Sequence, residues 1–172
     1  YRIMALFGRT RDVNLIKTIN RELLGDVITQ QASFYKVRLE ETTFNLYGEA
    51  AGGKFYDGPV IFNCLVERSD QEYPESDLGV DFDWSVIFKF LREDLTNAGV
   101  DPEVGDIILY NEGYYQVDNV ASNQYFMGKD PSYPNEPNPL NPGLSDFGGN
   151  LSYIIKAHYE PADKFGITKE RF

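Results

Sequence analysis

Residue types that commonly do chemistry are scarce in this 172-residue sequence, which has one histidine, His158, and one cysteine, Cys64. Any Ser-His-Asp or Cys-His device would need His158 as its base. No serine stands in a Gly-x-Ser-x-Gly turn. Cys64 falls in an alternating run, where a small buried hydrophobe is the usual role. A zinc site would have only His158 and Cys64 to draw on, without a CxxC or HxxxH spacing. Asp81 and Asp83 are carboxylates of the kind that hold calcium, but the glycine and terminal glutamate of a calcium loop are missing. The glycine pairs at 52–53 and 148–149 do not lie between a strand and a helix, and no Lys-Ser/Thr follows them, so they read as turns. Carboxylate pairs of glycosidase type exist by sheer number, and no one pair stands out. The expectation is a non-enzymatic chain with no catalytic residues, no metal and no cofactor. A hydrolase built on His158 is the remote alternative.

The elements that carry these residues look mainly β. Hydrophobic content is 42% and aromatic content 15%, with twelve Tyr and twelve Phe. That is a globular composition that favours strands. The formal charge is −11 and the pI about 4.5. Such a balance argues against a sequence-independent nucleic-acid clamp, which needs clustered Lys and Arg. A single cysteine excludes an intrachain disulfide. No apolar run approaches a membrane span and no signal peptide is visible, which predicts a cytosolic environment during synthesis.

Residues 1–11 form an arm with Arg2, Arg9 and Arg11 around an apolar patch ending at Phe7. A single domain is expected over 12–168, with a short tail at 169–172. Residues 12–24 predict a helix, with Asp12 as N-cap, Leu15, Ile16, Ile19 and Leu23 on one face, and Gly25 as the stop. Strands are expected at 35–40, 42–47, 60–67, 84–92, 107–110, 114–120, 124–128 and 151–159, and a helical turn at 93–99. Gly58 and Pro59 predict a turn, and Asn111, Glu112 and Gly113 a hairpin with a left-handed residue. Residues 69–83 read as an exposed acidic loop containing Asp77, Asp81 and Asp83. Residues 130–150 hold five of the nine prolines, with Tyr133, Leu140, Leu144 and Phe147 as apolar handholds. A loop this long is usually functional or mobile. A polar tail is expected from 160. The sum predicts a small antiparallel barrel or sandwich with one N-terminal helix and long loops.

A resemblance spans about residues 12–168. It is carried by Asn20-Arg-Glu-Leu-Leu-Gly-Asp-Val-Ile-Thr-Gln30, by Tyr35-Lys36-Val37, Leu39-Glu40 and the run from Asn45 to Ala50, and by Gly58-Pro59 and Asn63-Cys64-Leu65. It continues through Phe90-Leu91-Arg92-Glu93-Asp94-Leu95, Pro102-Glu103-Val104-Gly105-Asp106-Ile107-Ile108, Tyr115-Gln116-Val117-Asp118-Asn119, Asn123-Gln124, Gly128-Lys129-Asp130-Pro131, Leu151-Ser152 and Gly166-Ile167. In this ordered set the chain resembles the neck, or head completion, proteins of T-even-type contractile-tailed phages. Residues 134–143 depart from that pattern in being richer in Pro and Asn.

The resemblance implies a structural connector located in the virion neck and assembled in the host cytoplasm. It implies a homo-oligomeric ring between a portal or adaptor protein on the head side and a second neck protein or tail terminator on the tail side. Genomic DNA would pass through the lumen without specific binding, and no membrane is involved. An acidic lumen would keep DNA from sticking. A tail or baseplate adaptor is the alternative. A ring closes through head-to-tail contacts, and three segments are expected to supply them. They are the arm with Arg2, Phe7, Arg9 and Arg11, the acidic loop with Asp77, Asp81 and Asp83, and the Pro-rich loop with Tyr133, Leu140, Leu144 and Phe147.

Overall fold

Alternation of apolar and polar residues puts every second side chain of a strand on one face. Here that alternation is used to fill a closed barrel. The structure, a computed structural model, describes residues 10–38, 56–68, 75–76, 79–80, 84–122, 151–162 and 165. Six strands close the barrel: β1 (Gln31–Val37), β2 (Tyr56–Arg68), β5 (Ser85–Leu91), β6 (Ile107–Tyr110), β7 (Gly113–Ala121) and β8 (Ser152–Glu160). They run in the order β1-β2-β5-β8-β7-β6, every neighbour antiparallel. Closure leaves no unpaired strand edge in the barrel. The expectation of a mainly-β antiparallel barrel with one N-terminal helix therefore holds.

Inward positions are Ala32 and Phe34 on β1, Phe62 and Cys64 on β2, Val86, Phe88 and Phe90 on β5, Ile108 on β6, Tyr115 and Val117 on β7, and Tyr153, Ile155 and Ala157 on β8. The interior is aromatic. Phe88 stands edge-on to Tyr115 at 5.6 Å between ring centroids, and Phe34 edge-on to Phe90 at 6.4 Å. Such pairs add to the burial of the rings themselves. Leu95, on α2 (Arg92–Asn97), is buried in the same cluster.

Two bulges shape the wall. On β2, Phe34 pairs with Val60 but Lys36 pairs with Asp57, so Gly58 and Pro59 together face a single position of β1. The predicted turn at Gly58 and Pro59 is therefore a bulge inside a 13-residue strand, with a cis peptide between them. A proline has no N–H for the ladder and is tolerated at such a place. Gly58 is required there: its φ is 132°, and a Cβ would come within 2.8 Å of the Phe34 carbonyl oxygen. On β7, Val117 pairs with Ala157 and Asn119 with Lys156, leaving Asp118 as the extra residue. That insertion reverses the facing of the strand, so Val117 and Val120 both turn toward the core.

Other expectations need correction. The β6–β7 hairpin has two turn residues, not three. Asn111 and Glu112 have φ of 48° and 65°, and Gly113 already pairs with Tyr110. Two left-handed residues give the twist that a tight hairpin needs. The strand expected at 35–40 is β1, four residues earlier at its start. The acidic loop 69–83 contains a small hairpin, β3 (Glu75–Ser76) with β4 (Gly79–Val80). The helix α1 (Thr10–Glu22) begins before Asp12, so Asp12 is not its cap and Arg11 belongs to the helix rather than the arm. Gly25 does not stop it. The chain winds on as a π-helical segment (Leu23–Ile28) and ends at Thr29, whose φ is 50° and whose N–H donates to the Leu24 carbonyl at 3.0 Å. The tail is not simply polar either, because Phe165 is buried against Ile107 and Tyr114. Strands expected at 42–47 and 124–128 lie outside the described residues, as does the loop 130–150.

Candidate functional site

The helical segment at the N-terminus presents the most unusual surface. Leu24 is turned inward, while Leu15, Ile19, Leu23 and Val27 are 59%, 52%, 45% and 71% exposed. These four sit four residues apart and form one ridge along the segment. Large apolar residues at helical spacing normally face a core. Here the barrel's own strands fill its interior, and α1 is tethered by charge instead. The Arg21 guanidinium reaches Glu93 at 3.0 Å and Asp94 at 3.3 Å on α2. Glu93 foremost raises the Arg21 pKa above its ordinary value, against the pull of burial. Between this segment and the wall runs a groove of about 370 Å³, with Leu23, Leu24, Ile28, Leu65, Leu91 and Leu151 among its lining. Lys89 also lines it and is paired with Glu67 at 2.7 Å. Leu15, Ile19 and Leu23 were visible in the sequence as a stripe. Val27 continues the same spacing past Gly25, which is the signal that the helical winding does not end there.

His158 and Cys64 do not come together. Cys64 points into the barrel and is fully buried, and burial pushes its thiol up to about 12. His158 lies on the opposite face of the wall, one position after inward Ala157. Its Nδ1 is 2.6 Å from Asp118 Oδ1, and its Nε2 is 3.4 Å from Glu160 Oε1. The bulge at Asp118 is what aims that carboxylate at the ring. Among the described residues there is no group of three or more His, Cys, Asp or Glu side chains arranged to hold a metal. No described helix is long and apolar enough to cross a membrane.

Asp106 is a buried carboxylate that sequence reasoning passed over. Its Oδ1 accepts from the Val37 N–H at 2.9 Å, and its Oδ2 from the Glu103 N–H at 2.7 Å and from Lys36 Nζ at 3.3 Å. Lys36 also donates to the Asp101 carbonyl and to Glu103, both at 2.7 Å. Burial raises the Asp106 pKa, outweighing the donors from Val37 and Glu103 and the Lys36 charge, which all pull it down. The group locks the end of β1 to the turn that enters β6. The signal was present: an aspartate at the mouth of a strand, three residues after Glu103, often bonds back to the local backbone.

The expected contact residues Arg2, Phe7, Arg9, Asp77, Asp81, Asp83, Tyr133, Leu140, Leu144 and Phe147 lie outside the described residues. Arg11 lies in the first turn of α1.

Fold and surface together define a class: a closed six-stranded antiparallel barrel with an N-terminal helix whose apolar side is open. No family model and no curated protein matches the sequence. Among solved structures the chain is similar to the phage-like element PBSX protein xkdH from Bacillus subtilis, at 11% identity and a TM-score of 0.35, over 76% of this chain and 93% of that one. So loose a likeness of shape assigns no function.

Proposed function

We propose that this chain is a non-enzymatic structural subunit of a tailed phage virion, a neck connector that forms a ring between portal and tail. The sequence supports this reading through its ordered resemblance to T-even-type neck proteins. The single structural observation that carries it is the ridge of Leu15, Ile19, Leu23 and Val27, exposed on a protein whose barrel interior is already filled. Exposed apolar patches of this kind commonly mark protein–protein contacts. In this reading the barrel acts as a rigid wedge that sets ring curvature, and the helix joins one wedge to the next. The net charge of −11 fits a lumen that repels DNA rather than grips it.

Electron microscopy of the chain in assembled particles tests the proposal. The expected result is a closed ring beneath the portal with acidic side chains toward the DNA. A chain that stays solitary when mixed with portal and tail components would sink the connector reading. A lumen lined with Lys and Arg would sink the repulsion.

A further inference from the structure

We propose that the barrel mouth around Arg68 receives the helical segment of an adjacent copy of this chain, at the exposed stretch holding Glu22, Leu23, Asp26 and Val27. The inference rests on the ring reading above and names the surface that meets the open ridge. Arg68 ends β2, in register with Val86 near the start of β5. Its guanidinium carbon lies 5.6 Å from the ring centre of Trp84 and 5.7 Å from that of Tyr110. Tyr115 and Tyr159 complete the aromatic shelf, with centroids 6.1 Å and 6.2 Å from Trp84. Burial foremost raises the Tyr115 pKa, and the Arg68 charge opposes that rise, so guanidinium and phenol share one mouth. Arg68 and Tyr159 are exposed, which leaves the mouth open to solvent.

The charge of Arg68 is unmatched. Arg21, Lys36, Arg38 and Lys89 each hold a carboxylate. Arg68 has no ion pair among the described residues, in a chain with 27 acidic side chains and 16 Lys and Arg. Rings packed against a guanidinium fix its plane and leave its N–H groups free to donate. A carboxylate is the fitting acceptor, because a guanidinium can hold it through two parallel bonds. One cation on an acidic body is a poor grip for a polyphosphate, which needs clustered Lys and Arg.

The helical segment supplies the complement. Glu22, Leu23, Asp26 and Val27 are all exposed. Neither carboxylate has an ion pair among the described residues. Acids set between aliphatic side chains match a guanidinium set among aromatic rings: charge fixes the register, and the rings cover Leu23 and Val27. Within one chain the two surfaces lie at opposite ends of β5. Arg68 stands beside Val86, whereas Leu23 and Leu24 line a groove with Leu91, about 17 Å further along the strand. Separate giving and receiving surfaces make a head-to-tail contact, the kind that generates a ring.

The test is charge reversal and its rescue in the full chain, read as the self-association constant by sedimentation. Arg68→Glu should weaken association at least about tenfold, and so should Glu22→Lys combined with Asp26→Lys. A chain carrying all three changes should recover most of that loss. The Glu22 and Asp26 changes lie on an exposed helical surface, so they read the contact even if Arg68→Glu disturbs the mouth. Unchanged association in either variant overturns the proposal, as does a parent chain that stays monomeric or a triple variant without recovery. A short DNA duplex that binds the parent and loses affinity on Arg68→Glu would make phosphate the occupant and overturn it too. Rings that form unchanged in particles carrying Arg68→Glu reject this contact and leave the connector reading standing. Rescue in solution without a ring beneath the portal does the reverse.

Discussion

Two apolar patches lie on the outside of this barrel, and the chain treats them differently. Across β1, β6 and β7, the outward side chains Tyr35, Ile107, Leu109 and Tyr114 are roofed by Phe165, with Ala162 and Tyr56 beside it. Phe165 meets Tyr56 edge-on at 6.1 Å and lies tilted over Tyr114 at 6.2 Å. Along the helical segment, Leu15, Ile19, Leu23 and Val27 have no such roof among the described residues. The covered patch is a folding device, because its burial stabilises the isolated chain. The open patch contributes little to the chain alone and is available to whatever binds it.

The sharpest way to break this comparison is to remove the roof. Phe165→Ala is expected to cost about 3 kcal/mol, the low end for truncating a buried phenylalanine, since the patch lies on the outer wall rather than in the barrel. Urea unfolding measures it, and a change below about 0.5 kcal/mol would show that the roof holds nothing. Next in size is Asp106→Ala, which strands the Val37 and Glu103 N–H groups. It should cost about 2 kcal/mol by the same measurement.

Asp106 also gives a pH signature. Its folded-state pKa is raised, so the folded protein holds this proton more tightly than the unfolded chain does. The stability it contributes is complete below the ordinary carboxylate value and is lost as pH rises through the raised one. The advantage of the parent over Asp106→Asn should therefore be larger near about pH 4 than near about pH 7. A difference that grows with pH would contradict the assignment of burial as the leading cause.

Away from these buried groups the expected effects on folding are small. His158→Ala removes an exposed pair with Asp118 and should change stability by less than about 1 kcal/mol. Ile19→Lys should change it by no more than about 0.5 kcal/mol. The same Ile19→Lys change should weaken self-association, measured by sedimentation or light scattering. If it instead unfolds the protein, the ridge belongs to the core and the contrast between the two patches fails.

Much of the barrel was legible in advance because burial of one strand face imposes period two. Val86, Phe88 and Phe90 show it, and all three face inward. The bulges were less legible. Gly58 and Pro59 look like punctuation in a sequence, yet their meaning depends on the strand alongside: the Phe34 carbonyl leaves room for no side chain at Gly58. Asp118 and Asn119 interrupt the alternation between Val117 and Val120, which is how an inserted residue reads once β8 supplies the register. Phe165 was hidden for a similar reason, since an isolated aromatic in a polar stretch carries no period.

By itself, the sequence determined that strands would dominate, that one helix would precede them, and that Cys64 would sit among apolar neighbours. These follow from local patterning and the preference of apolar side chains for burial. Only tertiary structure decided that the helix's apolar side would stay open. A hydrophobic stripe states that a surface prefers to be covered, and the space inside a closed barrel, already occupied by its own strands, determines whether this chain can cover it.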